Sequence, residues 1–219
     1  MPRPLLDQRS LPWRYRDGRV GRFTMICTDR FDNVKREVAQ VRAWYPDAPA
    51  DAYDPDSYHL IGLLDGEPLV AIRATYSADR EIENVDFYAA EVLARVAPHY
   101  SSGGRYFAMP NISVPADVRA AFRARYIELV LQLGSLLDVS NCHARGVRYY
   151  ERMGWIVDDR AAFTHPTMNT PSFPMYIPAC PIRESIVKPL MKHARHTFYA
   201  GELRALLAEA HGNVQSSVA

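Results

Sequence analysis

Cysteine is scarce in this chain. Cys27, Cys142 and Cys180 are the only three among 219 residues, and no CxxC pair occurs. An odd count without paired spacing argues against a disulfide framework or a zinc site, and it suits a reducing compartment. Long apolar runs are missing too. A spanning helix needs about 20 apolar residues, whereas the stretch Val130 to Val139 is broken by Gln132, Gly134, Ser135 and Asp138. The first twenty residues include Asp7, Arg9, Arg14, Arg16, Asp17 and Arg19, with no apolar h-region. That is not the pattern of a secretory leader, and a cytoplasmic location without one is the expectation. An excess of either charge is also absent. The 26 basic and 25 acidic side chains leave a net charge of +1, so no global field steers the chain to nucleic acid or anionic lipid. Internal repeats and low-complexity segments are absent. With 48% hydrophobic and 23% charged residues, the composition is that of a soluble globular domain rather than a disordered chain or a rod.

What is present reads as alternating strands and helices. Residues 1–21 are basic and contain proline, and are expected to form an irregular arm. Arg22 to Asp29 reads as a strand. Phe31, Val34, Val38, Val41 and Tyr45 make a helical stripe, with Asp32 able to cap its start and Pro46 beyond its end. Tyr58 to Leu64, the turn Asp65-Gly66-Glu67 and Pro68 to Tyr76 form the clearest hairpin. Val85 to Val96 reads as a short helix, and Arg105 to Val114 as a strand interrupted by Pro110. The best helix is Asp117 to Leu133, with Val118, Phe122, Tyr126, Leu129 and Leu133 on one face. A strand (Leu136 to Ser140), a helix (His143 to Met153) and strands at Trp155 to Asp158 and Met175 to Ala179 follow. Arg183 to Ala210 is largely helical. The expected fold is a mixed α/β sheet with helices on both faces. It occupies residues 22–180, with a helical tail over 181–219.

The most informative stretch runs from Ser140 to Trp155. It holds Tyr150-Glu151 on a helix that ends at Gly154 and is followed by Trp155, which opens a strand. Gly154 suits a left-handed helix end. This pattern resembles the late helix–strand signature of the GNAT N-acyltransferase superfamily. The resemblance implies a mostly antiparallel sheet splayed at its central strand, and a thioester co-substrate rather than a permanently bound cofactor or metal. It also implies that Tyr150 protonates the departing thiolate. A plain packing role for Tyr149 and Tyr150 is the other reading.

Upstream, the superfamily usually has an Arg or Gln and spaced glycines ahead of its long helix, where backbone N–H groups hold pyrophosphate. Here Arg119 is present, but Ala120, Phe122 and Ala124 stand where glycines are expected. Asp117 is an alternative helix cap. Two GNAT-like branches lack the glycine loop, the acyl-homoserine-lactone synthases and the long-chain N-acyl amino acid synthases. The N-terminal third resembles them in Arg36 and Arg42 on an early helix, in Asp51-Ala-Tyr-Asp54, and in Arg73 at the end of the hairpin. Those synthases carry a Glu and an Arg on the central strand, roughly where Ala108 and Asn111 fall, so a homoserine-lactone product is not favoured.

The resemblance implies catalytic roles for Tyr150, His59 and Asn111. Ile112, Val114, Arg119 and Arg123 would contact the acyl thioester, and Arg42, Trp44, Asp51, Asp54, Arg73 and Phe107 the substrates. In that reading an Asp takes the acceptor's ammonium and a bidentate Arg its carboxylate. The alternative is that these charged residues pair with one another. His59, Asp54 and Glu81 are the candidate bases. His59 is equally readable as a structural histidine, and Pro110 as either a bulge or a strand end. Cys142 precedes a helix start, which lowers a thiol's pKa, whereas burial would leave it inert. The tail's Lys188, Lys192, His193, Arg195, His196 and Arg204 form either a face for an acidic carrier protein or a solvated surface. The functional expectation is N-acyl transfer from an acyl carrier protein or acyl-CoA to the amine of a small acceptor, an amino acid or its derivative. The alternatives are a catalytically silent binding module and an ordinary acetyl-CoA-dependent acetyltransferase.

Overall fold

The structure, a computed structural model, describes residues 7–15, 17–45, 50–108, 132–152, 155–166 and 169–178, together with Phe122, Arg125, Tyr126, Leu129 and Val130. Strands β3 (Tyr58–Leu64) and β4 (Glu67–Tyr76) form the expected hairpin. Asp65 and Gly66 take φ values of 50° and 91° at its tip. Two successive left-handed residues suit a tight two-residue hairpin, and Asp-Gly tolerates them. Strand β2 (Val20–Thr28) pairs antiparallel with β3, from Phe23 opposite Leu64 to Thr28 opposite His59.

The irregular arm expected over residues 1–21 is corrected. Residues Asp7–Arg14 form strand β1, antiparallel to β2. Leu11 and Trp13 alternate with more exposed neighbours and are buried in the core, which is the period of a half-buried strand. Pro12 is tolerated because β1 is the edge of the sheet, where a missing N–H breaks no central ladder.

The early helix is shorter than its stripe suggested. A 3-10 turn (Phe31–Asn33) and a break at Val34 precede α1 (Lys35–Arg42). Asp32 lies inside that turn, and neither helical start carries a side-chain cap bond. The expected Val85 to Val96 helix is likewise split, into a 3-10 turn (Val85–Phe87) and α2 (Ala90–Ala94). Strand β5 (Tyr100–Ala108) begins five residues earlier than Arg105. The described residues between 122 and 132 are helical and make α3. Strand β6 (Leu137–His143), α4 (Val147–Arg152) and strands β7 (Ile156–Val157), β8 (Phe163–Thr164) and β9 (Pro171–Pro178) complete the described chain.

The nine strands form one sheet in the order β1-β2-β3-β4-β5-β6-β9-β7, with β8 alongside β9. All pairs are antiparallel except β5–β6. Helices cover both faces. On one, Val38 and Val41 of α1 pack with Ile61 and Ala71. On the other, Phe122, Tyr126, Leu129 and Val130 of α3 pack with Phe23, Met25 and Leu60. Among the described residues, no helix is long and apolar enough to cross a membrane.

The β5–β6 pair positions everything that follows. It pairs Tyr100 with Leu137, Ser101 with Asp138 and Ser102 with Val139, and there it stops. Beyond that point β5 continues against β4 as far as Ala108, and β6 continues against β9 as far as His143. The sheet therefore parts between two parallel strands that run in the same direction.

Gly62 of β3 marks the tightest packing of the hairpin. A Cβ there would lie 2.5 Å from Val70 Cγ1 and 2.6 Å from Phe23 Cζ. Gly62→Ala is expected to lower stability by about 1–3 kcal/mol through overpacking, read as a lower denaturation midpoint in urea at an unchanged slope.

Candidate functional site

The acidic turn between α1 and β3 is tied down by arginines from three directions. Arg42, at the end of α1, donates to both carboxylate oxygens of Asp54 at 2.6 and 2.7 Å. Arg73, from β4, donates through Nη1 to Asp51 at 2.5 Å and to Asp54 at 2.9 Å. Its Nη2 donates to Glu83. Arg80 closes the turn from outside, donating to the Ala52 carbonyl at 2.9 Å and to Asp56 at 3.0 Å. Its guanidinium also sits 4.6 Å from the Tyr53 ring centre.

Burial makes this network demanding. The side chains of Arg73 and Asp54 are 1% and 0% exposed. A buried charge is tolerable only when paired and hydrogen-bonded. Asp54 meets that condition with both guanidiniums and with the backbone N–H of Asp51 at 2.9 Å. Burial alone would raise its pKa, but the Arg42 and Asp51 hydrogen bonds and the two positive charges hold the carboxyl well below the usual range. Three carboxylates (Asp51, Asp54, Glu83) meet two guanidiniums (Arg42, Arg73). Asp51 is the partly exposed member of this cluster, while Glu83 is buried.

The charged residues expected to grip an acceptor are thus brought together, and they pair with one another. His59 belongs to the same assembly. Its Nε2 lies 2.8 Å from the Asp54 carbonyl, and its ring centre is 5.0 Å from that of Phe31. It is buried, and desolvation lowers its pKa, so a neutral ring donating from Nε2 fits the contact. His59 holds the acidic turn in place rather than facing an opening. Trp44, at the end of α1, is half exposed and outside the network.

Tyr150 sits on α4, just past the C-terminal end of β6. It is half-buried, packed edge-on against Trp155 at 6.1 Å and against Tyr149 at 5.3 Å. The Trp155 N–H donates to the Tyr150 carbonyl at 3.1 Å. Cys142 is buried, which pushes its thiol up to about 11, so the inert reading of this cysteine holds. Asn111, Ile112, Val114, Arg119, Arg123, Pro110 and the basic tail lie outside the described residues, as does the side chain of Phe107. Among the described residues, no cluster of His, Cys, Asp or Glu could hold a metal ion.

An open, mostly antiparallel sheet that parts at its one parallel pair, with helices on both faces, has a known counterpart. The fold is that of the GNAT-like N-acyltransferases. FeeM, an N-acyl amino acid synthase from uncultured soil microbes, superposes with a TM-score of 0.61 at 14% identity, over 75% of this chain and 95% of that one. MesI, a CoA-dependent acyl-homoserine lactone synthase, gives 0.52 at 17% identity, over 75% and 93%. An uncharacterized protein from Bacillus halodurans gives 0.53 at 9% identity, over 84% and 97%. No family model and no curated protein matches the chain. At these identities the likeness is one of fold.

Within this GNAT-like frame, two charged residues escaped the sequence reading. Glu83, not Glu81, joins the network, while Glu81 is exposed. No local pattern separates the two. Asn84, in a left-handed conformation at φ 59°, follows Glu83 in the loop that decides which one turns inward. Arg105 is opposite Arg73 in the β4–β5 register.

Removing the shared carboxylate leaves two buried guanidiniums short of a partner. Asp54→Asn is expected to destabilise by about 3–5 kcal/mol. The depressed carboxyl also sets an acid limit. Its contribution is complete above the unfolded-state value near 4 and is lost as pH falls below it. Urea unfolding of the wild type from pH 7 to pH 3 should therefore lose stability steeply below about pH 4, and the variant should start lower and fall less.

Proposed function

We propose that this protein is an N-acyltransferase that moves an acyl group from a thioester donor, acyl carrier protein or acyl-CoA, to the amine of an amino acid or a related small acceptor. The observation that carries this reading is the parting of β5 and β6 after Ser102, with the acid-rich Arg73 cluster on the neighbouring strand β4. An extended thioester arm fits a gap between two strands, where backbone N–H groups of β5 that lack a β6 partner are free to bind a carbonyl oxygen. Asp51, the partly exposed carboxylate of that cluster, suits an ammonium. The ammonium gives a proton to solvent, the nitrogen attacks the thioester carbon, a C–N bond forms and the C–S bond breaks, and the second nitrogen proton passes to solvent as the amide forms. Tyr150, on the helix that follows β6, gives the thiolate its proton. Direct attack needs no enzyme nucleophile.

The network modifies how the acceptor is held. Arg42 and Arg73 are committed to carboxylates of the chain, so they shape the pocket rather than clamp a free carboxylate. Asp51, the partly exposed member, is the group that reaches the ammonium. The deciding experiment incubates the protein with mixed acyl thioesters and an amino-acid pool and measures intact product masses. An N-acyl amino acid is the expected product. Absence of any acyl transfer favours the silent binding module.

Two substitutions separate the roles. Tyr150→Phe should lower kcat by about 10²-fold with a small change in Tm, and a near wild-type rate would return Tyr150 to packing alone. Asp51→Asn should raise the acceptor's KM several-fold and leave the donor's KM unchanged, and equal losses for both substrates would place the acceptor elsewhere.

A further inference from the structure

A second buried carboxyl lies on the opposite face of the sheet from the arginine cluster, at the vertex where β5 and β6 part. Asp138 is opposite Ser101, the middle of the three β5–β6 pairs, and is 1% exposed. The Ser101 hydroxyl donates to its Oδ1 at 2.8 Å. The Tyr126 hydroxyl, from α3, donates to both oxygens at 3.1 and 3.0 Å. The backbone N–H of Gly103 donates to the same carboxyl. Ser135 extends the cluster, donating to Ser101 Oγ at 3.0 Å.

Gly103 is the first residue of β5 beyond the β6 ladder. In a continued sheet its N–H or its neighbour's would go on pairing with β6. Here a side chain of β6 takes the Gly103 N–H, so the carboxyl substitutes for a ladder bond and ends the pairing. Glycine is required at 103 for a separate reason. A Cβ there would collide with the Tyr126 hydroxyl, the group that anchors the carboxyl from α3. Asp138, Gly103 and Tyr126 therefore act as one wedge joining β5, β6 and α3.

We propose that Asp138 is a positioning residue of the donor site: its carboxyl, fastened by Tyr126, Ser101 and the Gly103 N–H, ends the β5–β6 ladder and holds the sheet open where the thioester arm enters. The proposal rests on the acyl-transfer reading for the identity of the ligand, while the wedge itself is a property of the fold. All three partners donate, so the ionised carboxyl accepts from all of them, whereas a protonated one must give up an acceptor site. Burial pushes Asp138 up to about 7. The titratable groups coupled to it are the phenols of Tyr126 on α3 and of Tyr88 ahead of α2, and burial raises both, so neither ionises near neutrality. The wedge is thus tightest above pH 7 and loosens as pH falls.

Titration calorimetry with acyl-CoA thioesters from acetyl to palmitoyl tests this directly. In the wild type, affinity for at least one thioester should rise between pH 6 and pH 8. Asp138→Asn should weaken that thioester by about tenfold, flatten the pH dependence and leave amine binding unchanged. Equal thioester affinity and an equal pH profile in the variant would overturn the wedge while leaving the acyl-transfer reading intact. Failure of the wild type to bind any thioester would overturn both the reading and the donor-site role. Should Asp138→Asn not fold, Tyr126→Phe serves in its place. Losing one donor to the carboxylate raises its pKa, so the midpoint of the affinity profile must move to higher pH, and an unmoved midpoint overturns the proposal.

Discussion

The carboxylate of Asp54 is the constraint on which one half of the molecule depends. It is buried and accepts from two arginines that come from different parts of the fold, one from the end of α1 and one from the middle of the sheet. A buried ion pair of this kind adds little net stability compared with apolar packing. Its consequence is geometric, because three segments can reach one carboxylate in only one arrangement. The position of α1 over β3 and β4, the path of the acidic turn and the orientation of His59 all follow from satisfying that group.

The other half depends on a pairing that ends early. A parallel pair within an otherwise antiparallel sheet is weaker per residue, and here it lasts for three residues. Parting two strands leaves backbone donors without a ladder partner, which is costly in a dry interior unless something else accepts from them. The Asp138 carboxyl meets part of that need at the vertex. Beyond it, the unpaired edge of β5 is the place where a ligand's own polar groups can substitute for a missing strand.

These two features sit on opposite faces of the same sheet. The α1 face carries the charged cluster and the α3 face carries the wedge. The charged cluster and the parting of β5 and β6 therefore draw on different side chains. Arg42 and Arg73 are committed to the carboxylates they hold in place.

Much of this was legible in the chain. Alternating apolar residues and Asp-Gly placed the hairpin of β3 and β4 to the residue at most ends, and the stripe of Phe122, Tyr126, Leu129 and Leu133 marked the buried face of α3, because period and turn chemistry are local. Arg42, Asp51, Asp54 and Arg73 were also picked out together by their types and order. Whether they meet a substrate or one another was not legible, since that depends on how far each is buried. Glu83 rather than Glu81, Arg105 opposite Arg73, and the strand hidden in residues 7–14 are likewise results of pairing and register. So is the Asp138 wedge. In the sequence Asp138 is only a polar interruption of an apolar stretch. Its meaning comes from Tyr126 twelve residues earlier and from Ser101 and Gly103 more than thirty residues away, and no local pattern encodes which strand will be its neighbour. Sequence alone determined the elements and the chemical types available. The tertiary structure decided which charges cancel, which backbone donors stay open and where the sheet parts, because each of those is a long-range balance between desolvation and pairing.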